Sequence, residues 1–247
     1  MTGSFIWYEL MTSDLDAAIA FYGKVVGWEV KPGETPGMDY RIIHAGTDRV
    51  GGMMQAPDPN MPPAWLAYVD VADVDAEVSA FEAAGGKVWW PANTLDGVGR
   101  MAMVADPQGA AIYVMTPAMP AEGALPFGKA PGHCGWNEYH ARDWEAAFAF
   151  YAERFGWEKD TAMDMGPMGT YQTFTSGGVQ TGGMMNNPLP RQAWLFYFNT
   201  GHIDEAVERI TGNGGKIQLP PIEVPGGQWA VVAVDPQGAM FGLLGHK

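Results

Sequence analysis

Two short stretches place a carboxylate among aromatic side chains. WYELM, from Trp7, sets Glu9 two residues after an indole; WNEYH, from Trp136, does the same with Glu138 and adds His140. Side chains two apart on a strand share a face. Trp7, Glu9 and Met11 therefore form one line, and Trp136, Glu138 and His140 another. A carboxylate among aromatics is desolvated and its pKa rises, which suits a general acid or base. Glu138 with His140 then reads as a proton-handling pair. The same pattern also fits glutamates that only accept hydrogen bonds from tyrosine hydroxyls or backbone in a packed sheet.

Other reactive residues lack such company. His133 stands beside Cys134, but no glycine elbow or helix N-terminus accompanies the pair, so a Cys–His nucleophile is not expected. His44, His202 and His246 have no clustered partners in the sequence. The GGK triplets at Gly85 and Gly214 follow helical patterns instead of preceding them, so they end helices and do not cradle phosphate.

The elements that must position these residues come from a long repeat. The Trp7 stretch returns at Trp136, a shift of 129 residues, and GGMM returns from Gly51 to Gly182, a shift of 131. AWLAY at Ala64 returns as AWLFY at Ala193, and DPQGA stands at both Asp106 and Asp235. Blocks in the same order mean a duplicated domain, expected over 1–117 and 132–247 with a Pro/Gly/Ala-rich linker at 118–131. Each half reads as two smaller units. Phe5–Leu10 is strand-like; Ser13 and Asp14 then offer N-cap chemistry to DLDAAIAFYGKVV, whose apolar residues recur three or four apart until Gly27. Strands are expected near 28–31, 40–45 and 51–55. The order then repeats with strand 65–71, helix 74–84 and strands at 87–90, 101–105 and 111–115. DPQG is turn chemistry for the last hairpin. Architecture explains it more simply than catalysis does.

Composition narrows the function. The chain has 247 residues, 47% hydrophobic and 17% charged, a globular balance with ample material for cores. Its 14 Lys and Arg face 28 Asp and Glu, for a net charge of −14. Nucleic acid and anionic membrane surfaces are thereby poor partners. The longest apolar runs are strand-length, and the N-terminus has no basic region followed by an apolar run. With a single cysteine no disulfide framework forms within the chain, so a reducing cytoplasm is the expected compartment. Sixteen Met and ten Trp suit cores and also pockets for flat organic ligands.

A βαβββ unit used twice per domain, in two domains, resembles the vicinal oxygen chelate superfamily of glyoxalases, bleomycin-resistance proteins and extradiol dioxygenases. D…AAIAFY…VVGWE, D…AAFAFY…RFGWE, VADVDAEVSAFEAAGGKV and both DPQGA hairpins carry the resemblance, over nearly the whole chain outside the linker. It implies an α+β fold of two tandem domains, each with paired modules curling a sheet into a cup that holds the ligand. It also implies a divalent metal, bound by a His seven residues before the helix Asp, a His on the next unit's opening strand, and a carboxylate four residues past the DP-x-G glycine. Those positions carry Trp7 and Trp136, the Trp65-Leu66 and Trp194-Leu195 regions, and Tyr113 and Gly242. The usual metal site is therefore not expected, no cofactor is predicted, and a metal would need non-standard positions.

Within that picture Trp7, Trp65, Trp136 and Trp194 are expected to line the cups, with Met54 and Met185 of the GGMM stretches as soft walls. Tyr113 would bond a ligand or fill the vacated space, and Arg100 would pair an acidic substrate or simply lie on the surface. Two functions stay open. One is metal-free binding of a small organic molecule. The other is an enzyme, glyoxalase-like, dioxygenase-like or metabolite-tailoring, using Glu9 or Glu138 and His140 as acid and base or as non-standard metal ligands. The differences Met11/His140 and Tyr113/Gly242 predict at most one active cup. Two domains in one chain pair as a pseudo-dimer, so a monomer or a homodimer is expected.

Overall fold

The computed structural model describes residues 2–33, 39–119, 126–187 and 192–247. Part of the expected linker, 120–125, lies outside the described residues. The first module runs β1 (Phe5–Thr12), α1 (Leu15–Val25), β2 (Glu29–Pro32), β3 (Tyr40–Ala45) and β4 (Asp48–Gln55). The second runs β5 (Ala64–Asp70), α2 (Val74–Ala83), β6 (Lys87–Leu95), β7 (Gly99–Ala105) and β8 (Ala111–Pro117). The third comprises β9 (Cys134–Ala141), α3 (Trp144–Phe155), β10 (Glu158–Asp164), a short 3₁₀ turn at Gly166–Met168, β11 (Thr170–Ser176) and β12 (Val179–Asn186). The fourth is β13 (Ala193–His202), α4 (Ile203–Gly212), β14 (Lys216–Val224), β15 (Gln228–Val234) and β16 (Met240–His246). The βαβββ order read from the repeat is thus the observed order, four times over.

Local chemistry sets the helix starts. Asp14, Asp73 and Asp143 have extended backbone, and each accepts a hydrogen bond from the backbone N–H three residues on, at 3.0–3.1 Å. α4 begins at His202 without a side-chain cap. Gly156 ends α3 with φ +67°, a left-handed conformation that favours glycine.

Within each module the first and last strands pair in parallel while hairpins build the rest. Glu9 stands opposite Gly52 on β1 and β4, and Glu138 opposite Gly183 on β9 and β12. Tyr68 stands opposite Tyr113 on β5 and β8, and Tyr197 opposite Gly242 on β13 and β16. The strands order as β2-β3-β4-β1-β5-β8-β7-β6 in one eight-stranded sheet and β10-β11-β12-β9-β13-β16-β15-β14 in a second. This is the expected α+β class.

The chain packs as two units, and each draws on both halves of the repeat. One contains Met1–Ile6, Leu66–Glu122 and Trp136–Trp194; the other contains Trp7–Trp65, Gly123–Gly135 and Leu195–Lys247. The DPQGA turns show how a module of one half is fixed to a module of the other. In the first unit Asp106 is buried. Its Oδ1 accepts the N–H groups of Gln108 (2.8 Å) and Ala110 (3.0 Å), while its Oδ2 accepts the hydroxyls of Tyr139 (2.5 Å) and Tyr151 (3.1 Å). Trp194 donates in turn to the Tyr151 oxygen at 3.3 Å, and Trp157 stacks on Tyr151 and Phe174. In the second unit Asp235 caps its own turn and accepts the Tyr22 hydroxyl at 3.1 Å. Trp65 donates to Tyr22 at 2.9 Å, within a cluster of Trp28, Phe198 and Phe241. Burial and the nearby aspartate hold the Tyr139, Tyr151 and Tyr22 hydroxyls well above the usual phenol range. Burial pushes Asp235 up, opposed by three backbone N–H groups and the Tyr22 hydroxyl. The turn is architecture, as expected.

Candidate functional site

Tyr139 of β9 faces α3, where it meets Tyr151 edge-on. Period two then turns Trp136, Glu138 and His140 to the opposite face, away from the helix. There they are joined by two residues the sequence reading did not single out. The Trp136 indole N–H donates to the Tyr171 hydroxyl oxygen at 2.6 Å, and that hydroxyl donates to Glu138 Oε2 at 2.8 Å. Glu138 Oε1 lies 2.9 Å from His140 Nε2, and His140 Nδ1 lies 2.7 Å from the Asn187 side-chain nitrogen. Hydrogen bonds therefore link Trp136 to Tyr171 and Tyr171 to Glu138, and join Asn187 to His140, while Glu138 and His140 meet as a close carboxylate–imidazole pair. His140 is only 8% exposed and Tyr171 is as buried, while Trp136, Met185 and Asn187 keep partial access to solvent. Met185 stands beside His140 on β12 and opposite Tyr171 on β11.

Gly183 makes this arrangement possible. A Cβ at Gly183 would come within 3.0 Å of the Tyr171 ring, so the ring lies flat over a strand position that only glycine leaves open. The GGMM stretch, expected to supply a bend and an apolar wall, thus also seats a tyrosine. The first half repeats the device. Trp7 donates to the Tyr40 hydroxyl at 2.8 Å, and the Tyr40 ring occupies the space above Gly52. Glu9 is buried, 2% exposed, beside Gly52. Met11 takes the place of His140, with Met54 as its cross-strand neighbour. The sequence did hold a signal for the tyrosines, since Tyr40 and Tyr171 recur at the same shift of 131 as GGMM.

The remaining candidates lie elsewhere. Trp65 and Trp194 turn toward the helices and are buried against Tyr22 and Tyr151, so their indoles build the aromatic cores described above. The opening positions of these strands alternate faces, and the large ring goes to the side with most apolar surface. Arg100 faces α2, where its guanidinium grips both oxygens of Asp75 (2.6 and 2.8 Å) and the Thr94 hydroxyl. Tyr113 is buried and stacks on Tyr68 with ring centroids 4.1 Å apart and planes 5° from parallel. His133 is buried with Nε2 3.4 Å from Asp48, and the buried Cys134 follows it at the start of β9.

The positions at which the resembled family holds a metal carry other chemistry. Trp136 and Trp7 present indoles, which donate and have no lone pair to coordinate. Tyr113 is locked in its stack, and the Tyr197 ring fills the space above Gly242. Glu138 and His140 spend their facing atoms on each other and their outer atoms on Tyr171 and Asn187. Among the described residues no three His, Cys, Asp or Glu side chains gather as metal ligands do. This donor set does not fit a divalent ion.

Comparison with known proteins agrees with the duplicated architecture. The sequence matches the Glyoxalase/Bleomycin resistance protein/Dioxygenase superfamily twice, over residues 4–114 and 131–243. It is 31% identical over 246 residues to a Mycobacterium bovis protein named "Putative glyoxylase CFP32", covering 96% of this chain and 93% of that one. It is 29% identical over 269 residues to the anthracycline biosynthesis protein DauV of Streptomyces sp. strain C5, covering 98% and 93%. The fold is similar to that of the Mn(II)-bound glyoxalase from Novosphingobium aromaticivorans, with a TM-score of 0.67 at 18% identity over 99% of this chain and 82% of that one. No helix among the described residues is long and apolar enough to cross a membrane.

Proposed function

Since the chain belongs to the glyoxalase/bleomycin resistance protein/dioxygenase superfamily, we propose that its second half binds a small organic molecule and moves a proton on it. The Glu138 carboxylate is the base. The observation that carries this reading is the close Glu138–His140 pair, flanked by the hydrogen bonds Trp136–Tyr171–Glu138 on one side and Asn187–His140 on the other. Tyr171 donates to one carboxylate oxygen and His140 stands beside the other, which holds the carboxylate in place. Such a base suits a carbon acid next to a carbonyl. The C–H proton passes to Glu138, its bonding pair moves into the carbonyl to form an enolate, and return of a proton completes an isomerisation without oxidant or reductant. The Trp136 ring and Met185 suit a flat, uncharged ligand surface. The names of the relatives, a glyoxylase and an anthracycline biosynthesis protein, fit small carbonyl-bearing or aromatic substrates.

Deuterium uptake tests this. With 2-hydroxyacetophenone in heavy water, the protein is expected to accelerate exchange at the carbon beside the carbonyl, and Glu138→Gln to abolish the acceleration. Equal exchange by the wild type and Glu138→Gln sinks the assignment. A second reading applies to the first half. Met11 stands where the histidine would be and Met54 lies next to it, so that half holds an apolar ligand without chemistry. Native mass spectrometry of protein purified without chelator reports whether an organic adduct or a metal accompanies the chain.

A further inference from the structure

The duplication supplies an internal comparison. Trp7/Trp136, Glu9/Glu138, Tyr40/Tyr171 and Gly52/Gly183 are the same in both halves. Two positions change together. His140 corresponds to Met11, and Asn187, by the shift of 131, to Ala56. The preceding residue, Asn186, serves the fold, since its Oδ1 accepts the backbone N–H of Trp144 at 2.7 Å. Asn187 instead turns its side-chain amide to the histidine. Where the ring is missing, so is the amide.

We infer that Asn187 is a positioning residue that fixes the proton of the neutral His140 ring on Nε2. The Asn187 side-chain nitrogen lies 2.7 Å from Nδ1 and carries two hydrogens but no lone pair, so Nδ1 is the acceptor there. The single proton of a neutral imidazole is then on Nε2, which lies 2.9 Å from Glu138 Oε1. With its proton on Nε2, His140 presents an N–H and no lone pair on the side of the carboxylate, so it does not compete with it for a substrate proton. Tyr171 donates to the other carboxylate oxygen. Glu138 is therefore the group of the pair that takes the proton, and Asn187 decides this without touching a substrate. A purely space-filling residue at 187 would leave the tautomer open.

This inference deepens the acid–base reading and rests on it for its consequence, but its test needs no substrate. Long-range proton–nitrogen correlation spectra of histidine-labelled protein report which ring nitrogen is protonated, and loss of signals in His140→Gln assigns the ring. At a pH where the spectra show a neutral ring, the wild type is expected to show the Nε2–H tautomer alone. Asn187→Leu is expected to populate both tautomers, and Asn187→Asp, an isostere that accepts and cannot donate, to place the proton on Nδ1. A wild-type ring protonated on Nδ1, or on both nitrogens, overturns the inference. So does an unchanged tautomer in Asn187→Asp, which stands as the deciding variant if Asn187→Leu fails to fold. The tautomer result and the deuterium-exchange result are independent. A correct tautomer with no effect of Glu138→Gln on exchange rejects the proposed function and leaves the role of Asn187 intact.

Discussion

Replacing Asp106 by asparagine tests the buried junction directly. Asparagine keeps the size and one carbonyl oxygen, which continues to accept the Gln108 and Ala110 N–H groups at the turn. The other oxygen becomes an NH2 group facing the Tyr139 and Tyr151 hydroxyls, both donors to Asp106 in the native arrangement. Each hydroxyl must rotate to accept instead, and the Tyr151 oxygen already accepts from Trp194. A hydrogen bond to a charged group contributes about 1.5–3 kcal/mol. Two are lost, and relief of the buried charge offsets part of that. The expected destabilisation is about 2–4 kcal/mol. Urea unfolding followed by tryptophan fluorescence measures it. The controls are the same substitution in a Tyr139→Phe/Tyr151→Phe background, where no hydroxyl remains to clash, and the cost is expected to fall below about 1 kcal/mol. An equal cost in both backgrounds would refute the claim that Asp106 acts through the two tyrosines.

Asp235→Asn meets only the Tyr22 hydroxyl, so it is expected to cost about half as much, ~1–2 kcal/mol, by the same unfolding assay. The folded-state pKa of Tyr22, Tyr139 and Tyr151 is raised, so their contribution is complete below the unfolded phenol value of about 10 and is lost as pH rises beyond it. Urea midpoints are expected to fall above about pH 10, and less steeply in a triple Tyr→Phe variant. Gly183→Ala drives a methyl into the Tyr171 ring and is expected to destabilise by about 1–3 kcal/mol while removing the exchange activity. A fully active Gly183→Ala enzyme would show that Tyr171 does not position Glu138. Asn199 holds the segment before β9 through Gly128, Ala130 and His133 carbonyls, so Asn199→Leu is expected to speed proteolytic nicking near 128–133.

The order of elements was legible because each signal was local and written twice. The Asp14 and Asp143 caps, the helical spacing, the turn glycines and the DPQGA hairpins recur at a shift of 129, while the Asp73 cap gives way to His202. The site was legible only along single strands. Trp136, Glu138 and His140 share a face by period two, and that line survives in three dimensions. Tyr171 and Asn187 reach it across strands, through a register that no local pattern in the sequence specifies. Trp65 and Trp194 show the opposite limit. Alternation says that successive residues face opposite sides, but burial against Tyr22 and Tyr151 decides which side the indole takes. Arg100 fits either a ligand contact or a surface position by sequence, and its pairing with Asp75, 25 residues earlier, belongs to the surface reading.

The two halves share one scaffold and differ at His140/Met11 and Asn187/Ala56, and the differences are chemically coherent. The indole, the tyrosine over a glycine and the glutamate occur in both, with Glu9 buried and Glu138 partly exposed. A glutamate with only those neighbours is held among aromatic rings and methionines. Adding His140 sets an imidazole nitrogen 2.9 Å from the carboxylate, and adding Asn187 gives the other ring nitrogen a hydrogen-bond partner. Either addition alone would be incomplete: a histidine without the amide has two tautomers, and the amide without the histidine addresses no ring. That the pair is present in one half and absent from the other favours proton chemistry in the second half and binding alone in the first. At the positions where the resembled family holds a metal stand Trp, Tyr and a ring-covered Gly, and the Glu138 carboxylate is oriented by the Tyr171 hydroxyl with His140 beside it.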